Sequence, residues 1–113
     1  MGINGKLSNL EENHEFTHKA WDSLIFNDVK EVLGGRIWLI IVGSAPISKD
    51  VLDYLKVAFC CPIIEAYGMT EVTGPSTCQY LSDTSSGNVG GPVCCTEIKL
   101  IDVPEMNYYA NGE

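Results

Sequence analysis

Apolar residues fall at Trp21, Leu24, Ile25, Val29, Val32 and Leu33, offsets of 0, 3, 4, 8, 11 and 12 that trace one face of a helix. The spacing predicts a helix over 17–33, and Gly34-Gly35 supplies the left-handed stop such a helix commonly needs. Next comes Arg36-Ile-Trp-Leu-Ile-Ile-Val42, apolar at consecutive positions and rich in β-branched residues. That pattern belongs to a strand buried on both faces, usually in a parallel sheet. Gly43-Ser-Ala-Pro46 reads as a tight turn, with Ser48 as the N-cap of a helix over 48–59. Within it Val51, Leu52, Leu55, Ala58 and Phe59 recur at offsets 0, 1, 4, 7 and 8. Pro62-Ile-Ile-Glu65 reads as a second buried strand, with proline tolerated at its first position. Strand, helix, strand is a βαβ unit.

The flanks differ. Residues 1–13 are polar with little periodicity, and 72–92 are rich in Gly, Ser, Thr and Pro and read as loop. Cys94, Thr96, Ile98 and Leu100 alternate with Val93, Cys95, Glu97, Lys99 and Ile101, which predicts a half-exposed strand over 93–102. The predicted class is α/β: a partial parallel sheet with a flanking helix over about 17–71, running into the start of a β-rich subdomain at about 93–113.

A chain of 113 residues is one domain at most, and folding would bury about two-thirds of its surface. Seven Lys and Arg against fifteen Asp and Glu leave a net charge of −8, which argues against a nucleic-acid binder. It does not exclude a nucleotide, because small anions are held by local amides and dipoles. The longest apolar run, Ile37 to Val42, is far below the ~20 residues of a spanning helix, so no transmembrane segment is expected. The opening MGINGKLSNLEEN has no apolar core of a secretory signal, and Lys6 stands where a myristoylation context wants Ser or Thr.

Five cysteines comprise the vicinal pairs Cys60-Cys61 and Cys94-Cys95 and a separate Cys78. None has zinc spacing, and vicinal cysteines seldom bridge, so small buried free thiols in a reducing compartment are expected. His14 and His18 sit four apart near the predicted helix start. They would share a helical face, but no third ligand lies nearby, and a solvated helix start accounts for them.

Ligands of parallel α/β sheets gather outside the carboxyl ends of the strands. Two predicted loops occupy that edge: Gly43-Ser-Ala-Pro46, and Ala66-Tyr-Gly-Met-Thr-Glu71. In the second, Gly68 removes a side chain where a ligand must approach the backbone. Thr70 offers a hydroxyl to a phosphate oxygen, and Glu71 a hard carboxylate for Mg²⁺. Tyr67 offers a flat face to a purine. The same residues also fit a plain turn into a helix, with Thr70 as N-cap and Glu71 as a first-turn acid.

Tyr67-Gly-Met-Thr-Glu71, preceded by Gly43-Ser-Ala-Pro-Ile-Ser48, resembles the adenylate-forming (acyl-activating) enzyme superfamily. The stretches Thr17–Phe26, Gly87-Asn-Val-Gly-Gly-Pro92 and Asp102-Val-Pro-Glu-Met-Asn-Tyr108 are similar to the eukaryotic long-chain acyl-CoA synthetases. The resemblance runs from about residue 6 to the end. It implies the N-terminal domain of an ATP- and Mg²⁺-dependent ligase that joins a fatty acid to CoA through an acyl-adenylate. Carried over by motif, Tyr67 would stack on adenine, Thr70 would bond the α-phosphate and Glu71 would hold Mg²⁺. Gly43 and Ser44 would floor the pocket, Glu65 and Ala66 would run their backbone along the adenine edge, and Gly68 and Met69 complete the nucleotide-binding motif. The family often has Gly where Ala66 stands, and the added methyl is tolerable if its φ is negative.

The same resemblance places the family's phosphate loop upstream of such a segment, and its ribose-gripping aspartate and C-terminal lysine downstream. It implies an internal fragment, inactive alone, of a parent on the cytoplasmic side, peripheral to the endoplasmic reticulum or other membranes. Long-chain specificity rests on Asp102–Tyr108, so a short or aromatic acid is a competing substrate reading. A different class is a truncated, non-catalytic interaction or regulatory protein, with Ile37–Val42 and Ile63–Ile64 left as uncovered apolar edges.

Overall fold

The structure is a computed structural model and describes residues 2–22 and 26–111. Among the described residues four α-helices, α1 (Gly2–Asn13), α2 (Lys19–Trp21), α3 (Asn27–Val32) and α4 (Lys49–Phe59), accompany four strands. These are β1 (Ile40–Val42), β2 (Ile63–Met69), β3 (Gly74–Cys78) and β4 (Gly91–Pro92), in sheet order β1-β2-β3-β4. β1 and β2 are parallel, with Ile40 opposite Ile63 and Val42 opposite Glu65, so β1–α4–β2 is the predicted βαβ unit. Beyond it the sheet turns antiparallel, because the chain reverses through a 3₁₀ turn at Thr70–Val72 and a left-handed Thr73.

α4 forms as its sequence dictates. Ser48, in an extended conformation, accepts a hydrogen bond from the Val51 amide at 3.4 Å, and Asp50 sits in the first turn where the helix dipole favours an acid. Its apolar face carries Leu52, Val57 and Ala58 into the core with Ile63 and Ile64 of β2. The helix ends at Cys60, which takes the left-handed conformation at φ 53°. Removing the cap with Ser48→Ala is expected to lower stability by about 1 kcal/mol, read as a shift of the urea midpoint with no change in slope.

Several predicted elements are corrected. Residues 1–13 are helical, with Gly2, Lys6 and Leu10 buried one turn apart. The helix expected over 17–33 is represented by α2 and α3, while Leu24 and Ile25 of its stripe lie outside the described residues. No residue of α3 is buried, so that stripe does not form a core face there. Its stop is as expected: Gly34 and Gly35 are left-handed and donate to the carbonyls of Glu31 and Lys30. β1 covers only the last three residues of the predicted strand, since only these pair with β2, and Trp38 is 71% exposed. Ile63 and Ile64, expected as an uncovered edge, are buried because β2 lies between β1 and β3 and beneath α4. Gly- and Ser-rich 72–92 contains β3 and β4, whereas 93–102 forms no strand. A period-two pattern needs a partner to become a ladder, and none lies beside it among the described residues.

All five cysteines are free; Cys61 is buried, but Cys94 and Cys95 are exposed, contrary to the burial expected of them. Burial pushes the Cys61 thiol up, which keeps it protonated. Among the described residues no helix is long and apolar enough to cross a membrane.

Candidate functional site

The carboxyl ends of β1 and β2 open onto two cavities that share one wall. One, of about 420 Å³, lies between Val42–Ile47, Glu65–Gly68 and Gly87–Val89. The other, of about 530 Å³, lies between Gly43-Ser44, Ala66–Thr70 and Thr73–Pro75. Gly43, Ser44, Ala66, Tyr67 and Gly68 line both. The parallel register causes this, since both strands emerge at the same edge.

Each wall residue has a local reason for its place. A Cβ on Gly43 would come within 2.9 Å of the Ala66 carbonyl, so glycine lets the turn after β1 lie against β2. Ser44 follows in the left-handed region at φ 69°, a costly conformation for a non-glycine residue that tends to persist where a site over-determines it. Ala66 is on β2 with no positive φ, so its methyl carries no backbone strain. Tyr67 is 48% exposed. Gly68 sits at a bulge where β2 and β3 shift register, and a Cβ there would collide with the Gly74 carbonyl. The close approach that requires glycine is thus made by the chain's own backbone. Met69 ends the strand and precedes the Thr70–Val72 turn.

Thr70 lines the second cavity, while Glu71, one residue further along the turn, is exposed and lines neither. The turn is capped by Met69 without a side-chain hydrogen bond, so Thr70 is not its N-cap, while Glu71 does stand in the first turn as the plain-turn reading expects. Glu65 also has an unforeseen occupation. Its amide donates to Gln79 Oε1 at 2.8 Å, its carbonyl accepts from the Gln79 amide at 3.1 Å, and its carboxylate accepts from the Gly87 amide at 2.8 Å. Its polar groups therefore brace the fold from within. Gly87, Asn88 and Val89 were missed as wall residues, although the unusual Gly87-Asn-Val-Gly-Gly-Pro92 run was a visible signal.

His14 ends α1 in a left-handed conformation and its Nδ1 lies 2.7 Å from the Thr84 hydroxyl, so His14 and His18 do not share a helix face. Among the described residues no three His, Cys, Asp or Glu side chains gather to enclose a metal. Glu71 fits Mg²⁺ in another manner: that ion takes one or two carboxylates and fills its remaining positions with phosphate oxygens and water. An exposed carboxylate is a hard oxygen donor of the kind that requirement calls for.

A family model described as AMP-binding enzyme matches residues 8–113. The chain belongs to the AMP-binding enzyme family. This AMP-binding chain is 42% identical over 112 residues to "Fatty acyl-CoA synthetase A" of Dictyostelium discoideum, covering 99% of itself and 16% of that protein. It is 45% identical over 93 residues to "Long chain acyl-CoA synthetase 7, peroxisomal" of Arabidopsis thaliana, covering 82% of itself and 13% of that relative. Against "Long-chain-fatty-acid--CoA ligase 1" of Homo sapiens the identity is 47% over 93 residues, with the same coverage of 82% and 13%. The AMP-binding chain thus spans 13–16% of the length of these relatives. No solved structure matches it.

Proposed function

We propose that the chain forms one wall of the active site of a long-chain fatty acid:CoA ligase. In that reaction the fatty acid carboxylate attacks the α-phosphorus of ATP and expels pyrophosphate, and the thiol of CoA then displaces AMP from the acyl-adenylate. The observation that carries the reading is the shared wall of Gly43, Ser44 and Ala66–Gly68 between two cavities at the strand ends, with the half-exposed Tyr67 in it. Tyr67 stacks on adenine, Ala66 runs its backbone along the base, and Gly43 and Ser44 form the floor. Thr70 donates its hydroxyl to an α-phosphate oxygen. Glu71 holds Mg²⁺, which when bound neutralises phosphate charge. The long-chain substrate is supported by the names of the relatives.

Phosphoryl chemistry needs charge neutralisation and positioning from several directions, and these residues supply one of them. The purified chain is therefore expected to bind Mg·ATP without forming acyl-CoA. Titration followed by amide NMR should give saturable shifts confined to 43–46 and 65–71. Tyr67→Ala should weaken binding about tenfold, since base–aromatic stacking contributes about 1–3 kcal/mol, and Glu71→Gln should remove the Mg²⁺ dependence. A well-dispersed spectrum indifferent to ATP overturns the reading.

A further inference from the structure

The Gly87–Val89 wall belongs to a segment, 79–90, with no helix or strand of its own. An irregular segment keeps a defined shape only if other elements satisfy its backbone groups. Here they do so from below. Lys56, in the last turn of α4, is 1% exposed and directs its ammonium at three acceptors in a row: the Thr84 carbonyl at 3.0 Å, the Ser85 carbonyl at 2.7 Å and the Ser86 hydroxyl at 2.7 Å. Three donors meet three acceptors, so the ammonium is fully used. The Ser86 hydroxyl in turn donates a hydrogen bond to the carboxylate of Asp53, one turn before Lys56 on α4, at 2.6 Å. Gln79 adds a second bond to the Ser85 carbonyl at 3.2 Å, and the Glu65 carboxylate takes the Gly87 amide.

The bracing reaches the cavity without a break. Asn88 donates to the Ser85 hydroxyl at 2.8 Å and accepts from the Gly90 amide at 2.9 Å, so the wall residue itself hangs on the residue Lys56 holds. The Ser85 hydroxyl and amide in turn bond Asp83 and hold its carboxyl below the usual carboxylate range. Burying a cation is costly unless it is hydrogen-bonded, and burial does push the Lys56 ammonium below the ordinary lysine range, with Asp53, Asp83 and Glu65 pulling the other way. Lys56 spends that cost on a loop whose far end faces the ligand cavity.

We propose that Lys56 is a positioning residue of the nucleotide site, holding the Gly87–Val89 wall in register with the β1 and β2 ends. It touches no ligand and acts through Ser85, Ser86 and Asn88. The proposal rests on the nucleotide reading for what the cavity holds, but the placement of the wall is observable without ligand.

The test is amide NMR of the chain with and without Mg·ATP, for wild type, Lys56→Met and Ser86→Ala. Lys99→Met is the control, since Lys99 is exposed and lies outside the bonded network of Lys56, Ser86 and Asp53. Without nucleotide, Lys56→Met should shift or broaden the amides of 84–89 while those of β1 and β2 before Glu65 stay in place. With nucleotide, affinity should fall about tenfold, as for other losses of support behind a binding wall. Ser86→Ala removes one acceptor and should do the same more weakly, with a stability that keeps the result readable if Lys56→Met unfolds. Lys99→Met should change neither. Unmoved 84–89 amides in both variants overturn the proposal, as does a loss of affinity that merely tracks the unfolded fraction. If the 84–89 amides move but wild type does not bind Mg·ATP, the positioning role stands and the nucleotide reading falls.

Discussion

Gly68→Ala is expected to destabilise the fold by about 3 kcal/mol, the upper end of what overpacking usually costs, and to abolish measurable Mg·ATP binding. The reason is the nature of the obstacle. The new methyl would collide with the Gly74 carbonyl and crowd Cα of Pro75, all of it backbone, so no rotamer change makes room. β3 would have to move off β2 at the bulge where Gly68 faces Pro75 and Met69 faces Gly74. That bulge sets the direction in which the Tyr67 and Thr70 ends of the wall leave the sheet, so stability and binding should fall together. Gly91→Ala is the control, because a methyl there meets nothing and its φ is ordinary, and its cost should stay within about 0.5 kcal/mol. Urea unfolding by circular dichroism reads the first effect and nucleotide titration the second. A Gly68→Ala chain with a wild-type midpoint would show that the strands separate more freely than their register implies.

The difference between what the sequence disclosed and what it hid follows the range of the interactions involved. Ser48 and Gly34-Gly35 act on their immediate neighbours, and both the α4 cap and the α3 stop were legible. The βαβ unit was legible because its strands and helix are each apolar in a continuous, periodic way. β3 and β4 were not, since Gly74-Pro-Ser-Thr-Cys78 has no apolar alternation and is a strand only because β2 offers it an edge. The converse holds for 93–102, which alternates well and has no edge to join among the described residues. At the site, Tyr67, Gly68 and Thr70 were read at once as wall residues, yet the reason for Gly68 lay in a backbone six residues on. Glu65 was read for its backbone, while its carboxylate is what braces Gly87. Such occupations depend on residues far along the chain, and no local pattern announces them.

Helix α1 is the sharpest case, and it carries the other large expected effect. Its buried face is Gly2, Lys6 and Leu10, a stripe that hydropathy discounts because a lysine stands in the middle of it. Lys6 is 1% exposed, yet its ammonium bonds Asp22 at 2.6 Å, the Val57 carbonyl at 2.7 Å and the Cys60 sulfur at 2.9 Å, and lies 4.3 Å from the centre of the Phe26 ring. It thereby ties α1 to the end of α4. Burial alone would raise the Asp22 carboxyl, but bonds from Lys6, the His18 amide and the Cys60 thiol outweigh it and hold Asp22 below the usual carboxylate range. A carboxylate depressed in this way contributes stability that is present above its unfolded value of about 3.9 and is lost as pH falls through the lower folded value. Lys6→Met keeps the buried stem and removes the charge, which leaves Asp22 without its ion-pair partner and takes one hydrogen bond from the Val57 carbonyl. The expected loss is about 3 kcal/mol at neutral pH, as for other buried pairs broken on one side. Lys6→Met with Asp22→Asn should recover part of that loss, because removing both charges relieves the unpaired carboxylate. Urea unfolding of wild type, Lys6→Met, Asp22→Asn and the double variant at pH 7 and again near pH 3 separates these contributions. The Lys6→Met variant should lie nearer wild type at the lower pH, where Asp22 takes up its proton. A Lys6→Met chain as stable as wild type at neutral pH would mean that α1 is held by Leu10 and its apolar neighbours alone.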